Sequence, residues 1–68
     1  MSNTIEAAEM LEKEIERLER SIEKQQEVIN FLSNRGDDVT LLETNQTLLR
    51  GIVERNKSTA QYIRETAI

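Results

Sequence analysis

The side chains that titrate in this chain are thirteen Asp and Glu, nine Lys and Arg and one Tyr; there is no His and no Cys. Without His the usual general base and the commonest metal ligand are missing. Without Cys there is no disulfide, thiolate metal site or thiol nucleophile. The carboxylates are many, yet no Glu pair sits on an apolar stretch where burial could shift a pKa towards acid–base work. No Gly-rich phosphate loop or nucleophile elbow is present. This inventory points to a non-enzymatic protein with no cofactor, no metal and no catalytic residue.

Three spacings remain. Arg50, Lys57 and Arg64 recur every seven residues, so on a helix they line one outer face, with Glu54 and Gln61 between them. Such a stripe serves either as charge complement to an acidic neighbour or as a track along phosphates, although without aromatics it is a thin nucleic-acid signature. Arg35-Gly36-Asp37 spells the integrin-adhesion tripeptide, but a helix-ending turn accounts for all three residues. Asn45-Gln46-Thr47 and Asn56-Lys57-Ser58 fit the N-glycosylation pattern. Both fall inside a predicted helix beside its apolar side, and neither is assigned a function.

The elements that position these groups are set by composition. Charged residues make up 32% and aromatics 3%, Pro is absent and Gly occurs twice. That is the composition of long helices. Sixty-eight residues make one small domain, 1–68, whose single core stabilises it by only a few kcal/mol, so a partner is expected as the staple. Net charge is −4, which opposes bulk attraction to nucleic acid or anionic lipid. No apolar run approaches a membrane span, and Met1–Thr4 does not open a signal peptide; the expected location is cytoplasmic.

The first helix is expected over about 4–34, entered at Asn3 with Glu6 in capping-box spacing. From Ala8 to Leu32 its apolar residues step by three and four: Ala8, Ile15, Ile22 and Ile29 take the a positions of a heptad, and Leu11, Leu18, Gln25 and Leu32 the d positions. Its outer face carries Glu9, Glu12, Lys13, Glu16, Arg17, Arg20, Glu23, Lys24 and Glu27, a solvated face or an acidic docking strip for a basic partner. Glu9 with Lys13 and Glu16 with Arg20 have the favourable i, i+4 order. Residues 35–38 break the helix. Gly36 suits the left-handed cap, Asp37 or Asp38 can open the next helix, and Thr40 with Glu43 forms a second candidate capping box.

The second helix is expected over about 39–66. Leu41, Leu42, Leu48, Leu49, Ile52, Val53, Ala60, Ile63 and Ala67 give it an apolar face about 140° wide, with Asn45 and Asn56 near its middle. Gly51 lies off that face and is read as tolerated. Folding at Gly36 matches Leu32 with Val39, Ile29 with Leu42, Ile22 with Leu49, Leu18 with Ile52 and Val53, Leu11 with Ala60 and Ala8 with Ile63. Gln25 falls opposite Asn45 and Gln46, and Gln25 with Asn45 is read as one polar layer that fixes register. The fold class is all-α, an antiparallel helical hairpin.

Two helices cannot cover so wide a face. Leu41, Leu48, Ile52, Asn56 and Tyr62 are the expected oligomer interface, flanked by Met10, Val28 and Phe31, with Asn56 pairing across it. A two-fold dimer of hairpins, a four-helix bundle, is the simplest solution. One long parallel coiled coil competes, but the Gly36-Asp37-Asp38 break and a Glu14–Glu19 like-charge contact oppose it.

In length, in its single Gly-Asp turn at Gly36-Asp37 and in its two amphipathic helices, the chain resembles the Rop-type plasmid copy-number regulators. Those are short helical hairpins that dimerise into four-helix bundles and bind paired RNA loops. The resemblance implies a dimeric bundle and an RNA-binding role; it aligns no motif residue by residue, so it carries over no contact position. The leading expectation is a small homodimeric regulator, adaptor or inhibitor that docks on a larger protein. The alternative is a Rop-like RNA- or DNA-binding regulator using Arg50, Lys57 and Arg64. A third is a subunit stable only with a different protein. Salt separates the first two, since nucleic-acid binding weakens steeply with ionic strength and apolar docking does not.

Overall fold

The computed structural model describes residues 4–67. It holds two helices, α1 (Thr4–Asn34) and α2 (Thr40–Thr66), packed antiparallel into a rod of 54 × 14 × 12 Å. The expected capping residue Asn3 lies outside the described residues. The break falls where the glycine allows it. Gly36 has φ +85°, Gly36 N–H donates to the Ser33 carbonyl at 2.9 Å and Asp37 N–H reaches back to the Leu32 carbonyl at 3.0 Å. This paired closure by adjacent amides is the Schellman geometry that a residue without a Cβ enters at no steric cost.

The tripeptide at the turn is bound up with itself. The Arg35 guanidinium stands 5.5 Å from the Phe31 ring centroid and 3.4 Å from the Asp37 carboxylate. Entry into α2 is made by Asp38, whose Oδ1 accepts from the Thr40 N–H at 2.9 Å and from the Thr40 hydroxyl at 2.7 Å. Those bonds, the hydroxyl's first, hold the Asp38 carboxyl below its usual range. Thr40 is therefore the first residue of the helix, engaged backwards with Asp38, and not a cap working forwards with Glu43. Within α2 the hydroxyls of Thr44, Thr47, Thr59 and Thr66 donate to carbonyls four residues earlier, so these poor helix formers are satisfied locally.

The α1 seam is the heptad read from the sequence: Ala8, Ile15, Leu18, Ile22 and Ile29 are buried. On α2 and its flanking residues Val39 and Ala67 the buried and half-buried seam positions are Val39, Leu42, Gln46, Leu49, Val53, Asn56, Ala60, Ile63 and Ala67, again in steps of three and four; off this row Gly51 is also half-buried. Opposed seam residues sum to 71, from Leu32 with Val39 to Ala8 with Ile63. Ile15, Leu18, Ile22 and Val53 form the centre, with Leu49 packed on them. The broad apolar face expected for α2 thus divides. One half, Leu42, Leu49, Val53, Ala60 and Ile63, turns onto α1. The other half, Leu41, Leu48 and Ile52, stays in solvent.

The polar layer also differs from the expectation. Asn45 is exposed, and its neighbour Gln46 takes the seam position at 5% exposure. Gln46 Nε2 donates to the Ile22 carbonyl at 3.2 Å and to Gln26 Oε1 at 3.1 Å, and Gln26 Nε2 continues to Asn30 Oδ1 at 3.0 Å. The heptad step from Leu42 to Leu49 falls on 46, not 45, because a supercoiled helix keeps a 3.5-residue period at its seam. Gln25 is half-buried in the same layer. Two buried acceptors there, Gln25 Oε1 and Gln46 Oε1, have no hydrogen-bond partner. Gly51 has open space where a Cβ would stand, with only Arg55 Nη1 at 3.8 Å, so no close backbone approach requires it.

Candidate interaction faces

The packed seam leaves each helix with two flanks, and the antiparallel register places like flanks side by side. One long face of the hairpin joins the e and b positions of both helices. There Arg64 Nε and Nη2 donate to Glu12 Oε2 and Oε1 at 2.6 and 2.7 Å, and Lys57 Nζ lies 3.2 Å from Glu19. The Arg64 hydrogen bonds hold the Glu12 carboxyl below its usual range, and the Glu19 contact raises the Lys57 ammonium. These pairs link the helices across the seam in the same register as the apolar residues. The face holds Glu9, Glu12, Glu16, Glu19, Glu23, Glu43 and Glu54 against Arg50, Lys57 and Arg64.

The stripe of Arg50, Lys57 and Arg64 is on this face. Two of its three cations are committed to Glu19 and Glu12, while Arg50 walls a shallow groove with Glu19, Glu54 and Lys57 over Ile22 and Val53. Phosphate would have to compete with carboxylates already in contact. Glu9, Glu16 and Glu23 project beside the ion pairs at seven-residue intervals, exposed. In α1 the intrahelical ion pair that forms is Arg17 with Glu14, at i, i+3, rather than Glu9–Lys13 or Glu16–Arg20. The Arg17 hydrogen bond lowers the Glu14 carboxyl.

The opposite face joins the c and g positions. Among the described residues eight large apolar side chains are exposed: Ile5, Met10, Val28, Phe31, Leu41, Leu48, Ile52 and Tyr62. All but Ile5 fall on this one face. Leu41 is 86% exposed, Met10 72% and Tyr62 67%. The four charges there are Glu14, Arg17, Lys24 and Arg55. Of the residues expected at an oligomer interface, Leu41, Leu48, Ile52 and Tyr62 share this face. Asn56 does not: it is half-buried in the seam opposite Ile15, turned away from the other four.

The sequence already points to this leftover apolar surface, Leu41, Leu48, Ile52 and Tyr62 flanked by Met10, Val28 and Phe31; the structure adds that these residues are exposed and takes Asn56 out of the set. Once the seam of α2 is assigned by its three–four steps, c and g letters follow for every remaining apolar residue. Among the described residues no group of three His, Cys, Asp or Glu could hold a metal ion, and neither helix is long and apolar enough to cross a membrane. No family model, curated protein or solved structure matches the chain.

Proposed function

We propose that this chain is a non-enzymatic protein-interaction module: a homodimer of hairpins forming a four-helix bundle, which docks as a small regulator, adaptor or inhibitor on a larger protein. The observation that carries the reading is the segregation of the rod into one apolar face and one acidic, ion-paired face. Monomers rarely leave a contiguous apolar surface of this extent in water. Among the described residues no large side chain is fully buried in the hairpin alone, so the seam by itself is a thin core.

In this reading the apolar face is consumed by self-association and the acidic strip of Glu9, Glu16 and Glu23 meets a basic patch on the larger protein. Affinity capture with a tagged chain from its native host, after nuclease treatment, tests it. One protein is expected in stoichiometric amount, lost with E9K/E16K/E23K. Recovery of the chain alone, or of a protein that E9K/E16K/E23K does not release, would contradict the docking role.

A further inference from the structure

The apolar face has a direction, and the direction selects how a second copy sits on it. By the seam register, residue n of α1 lies level with residue 71 − n of α2. The turn end of the face therefore holds Val28, Phe31 and Leu41, and the open end holds Met10 and Tyr62. Between them lie Lys24 with Leu48, then Ile52, then Arg17 level with Arg55, then Glu14. Cations are concentrated in the middle of the face, with the one carboxylate displaced towards the open end.

Two two-fold arrangements are available to identical hairpins packed on this face. If both turns point the same way, every level meets itself. The two-fold axis then runs along the rod and sets α1 of one copy over α2 of the other, so Arg17 of each copy meets Arg55 of the other, four guanidinium groups at one level, while the two Lys24 side chains share a level only diagonally. Like charges brought together in a closing interface oppose it. If the turns point opposite ways, with Ile52 of both copies on the axis, residue n of α1 meets residue 38 − n. Lys24 then meets Glu14, Val28 meets Met10, and Phe31 lies beside Tyr62. Arg17 and Arg55 fall level with Ser21 and next to Leu48, where their aliphatic stems cover apolar surface and their heads reach water.

The area is adequate for a stable pair. The rod's broad outline, 54 by 14 Å, is about 750 Å², close to the roughly 800 Å² each partner contributes to a standard interface. The chain's accessible surface of 5279 Å² exceeds the about 4,400 Å² of a compact monomer of its mass by a similar amount.

We propose that the occupant of the apolar face is a second copy of this chain, turned end for end, with the two-fold axis at Ile52 and Lys24 of each copy against Glu14 of the other. This rests on the homodimeric reading above and fixes its geometry. The chain has no Cys, so a single introduced thiol carries a spin label at one place only. In M10C the two labels of a dimer should lie about 27 Å apart, 18 residues at about 1.5 Å each. In V28C they should lie equally far apart, and an M10C–V28C mixture should add a short distance. A dimer in which the two M10C labels lie level, at the diagonal of a four-helix bundle, ~14 Å, would overturn the orientation and leave the interaction face standing. A monomer under the same conditions would overturn the second copy as occupant, whatever the capture experiment shows. Should a label itself disturb packing, the unlabelled charge variants decide. K24E should weaken the dimer several-fold and E14K/K24E should restore most of it, whereas in the parallel pairing Lys24 lies over Leu48 of the other copy, away from any carboxylate, and K24E changes little.

Discussion

The two long faces of the hairpin are built on the same seam and have opposite chemistry. Glu12–Arg64 and Glu19–Lys57 bridge the helices on one side, where seven Glu and three cations stand in water. On the other side Met10, Val28, Phe31, Leu41, Leu48, Ile52 and Tyr62 are exposed around four charges. The first face is stable in water by itself, because its charged groups are solvated and its cross-helix ion pairs are made within the chain. The second is incomplete, because its apolar surface gains nothing from water. Interaction sites on a coiled-coil hairpin are therefore found by what the seam leaves over, not by the seam.

The largest expected effect separates the faces directly. Leu48→Lys with Ile52→Lys should abolish self-association while leaving the chain helical by circular dichroism. A doubly substituted chain that still dimerises would place the interface elsewhere. Gln46→Leu acts within the seam. It removes a buried amide with an orphan acceptor and should raise stability by about 1–3 kcal/mol in denaturant titration, at the cost of a less exclusive register. A loss of stability would mean that the Gln46–Gln26 bond and the Ile22 contact outweigh the orphaned oxygen.

How far the sequence foretold this depends on the element. The α1 seam, the turn at Gly36 and the antiparallel register follow from apolar spacing and one glycine, and the helices lie where those signals put them. The polar layer lies one residue from the expected position, at Gln46 instead of Asn45, because adjacent amides look alike on a wheel drawn at 100° per residue. Asn56 lies opposite Ile15, as the register predicts, but the three–four steps turn it into the seam and away from the exposed Leu41, Leu48, Ile52 and Tyr62 with which it is expected at an interface. The ion pairs that form, Arg17–Glu14 and Arg64–Glu12, depend on which rotamers long side chains adopt, and no spacing decides between i+3, i+4 and a partner on the other helix.

Gly51→Ala should stabilise the monomer fold by about 1 kcal/mol, since the added Cβ meets only a flexible arginine and the helix interior gains propensity. Destabilisation would reveal a close approach across α2 that the hairpin alone does not show. The smallest effect lies on the ion-paired face. Glu12, Glu14 and Asp38 have lowered pKa values, so their contribution is present above the ordinary carboxylate range. It is lost as pH falls below about 4, through the folded-state values. Arg64→Ala should remove part of that pH dependence and leave the molecular mass unchanged; a dissociated dimer would assign assembly to the wrong face.

Sedimentation equilibrium of the purified chain at micromolar concentration tests the central claim most directly. The expected result is one species of twice 7.9 kDa, with the Leu48→Lys/Ile52→Lys chain at 7.9 kDa. A wild-type chain that sediments at 7.9 kDa and stays there as concentration rises would contradict it.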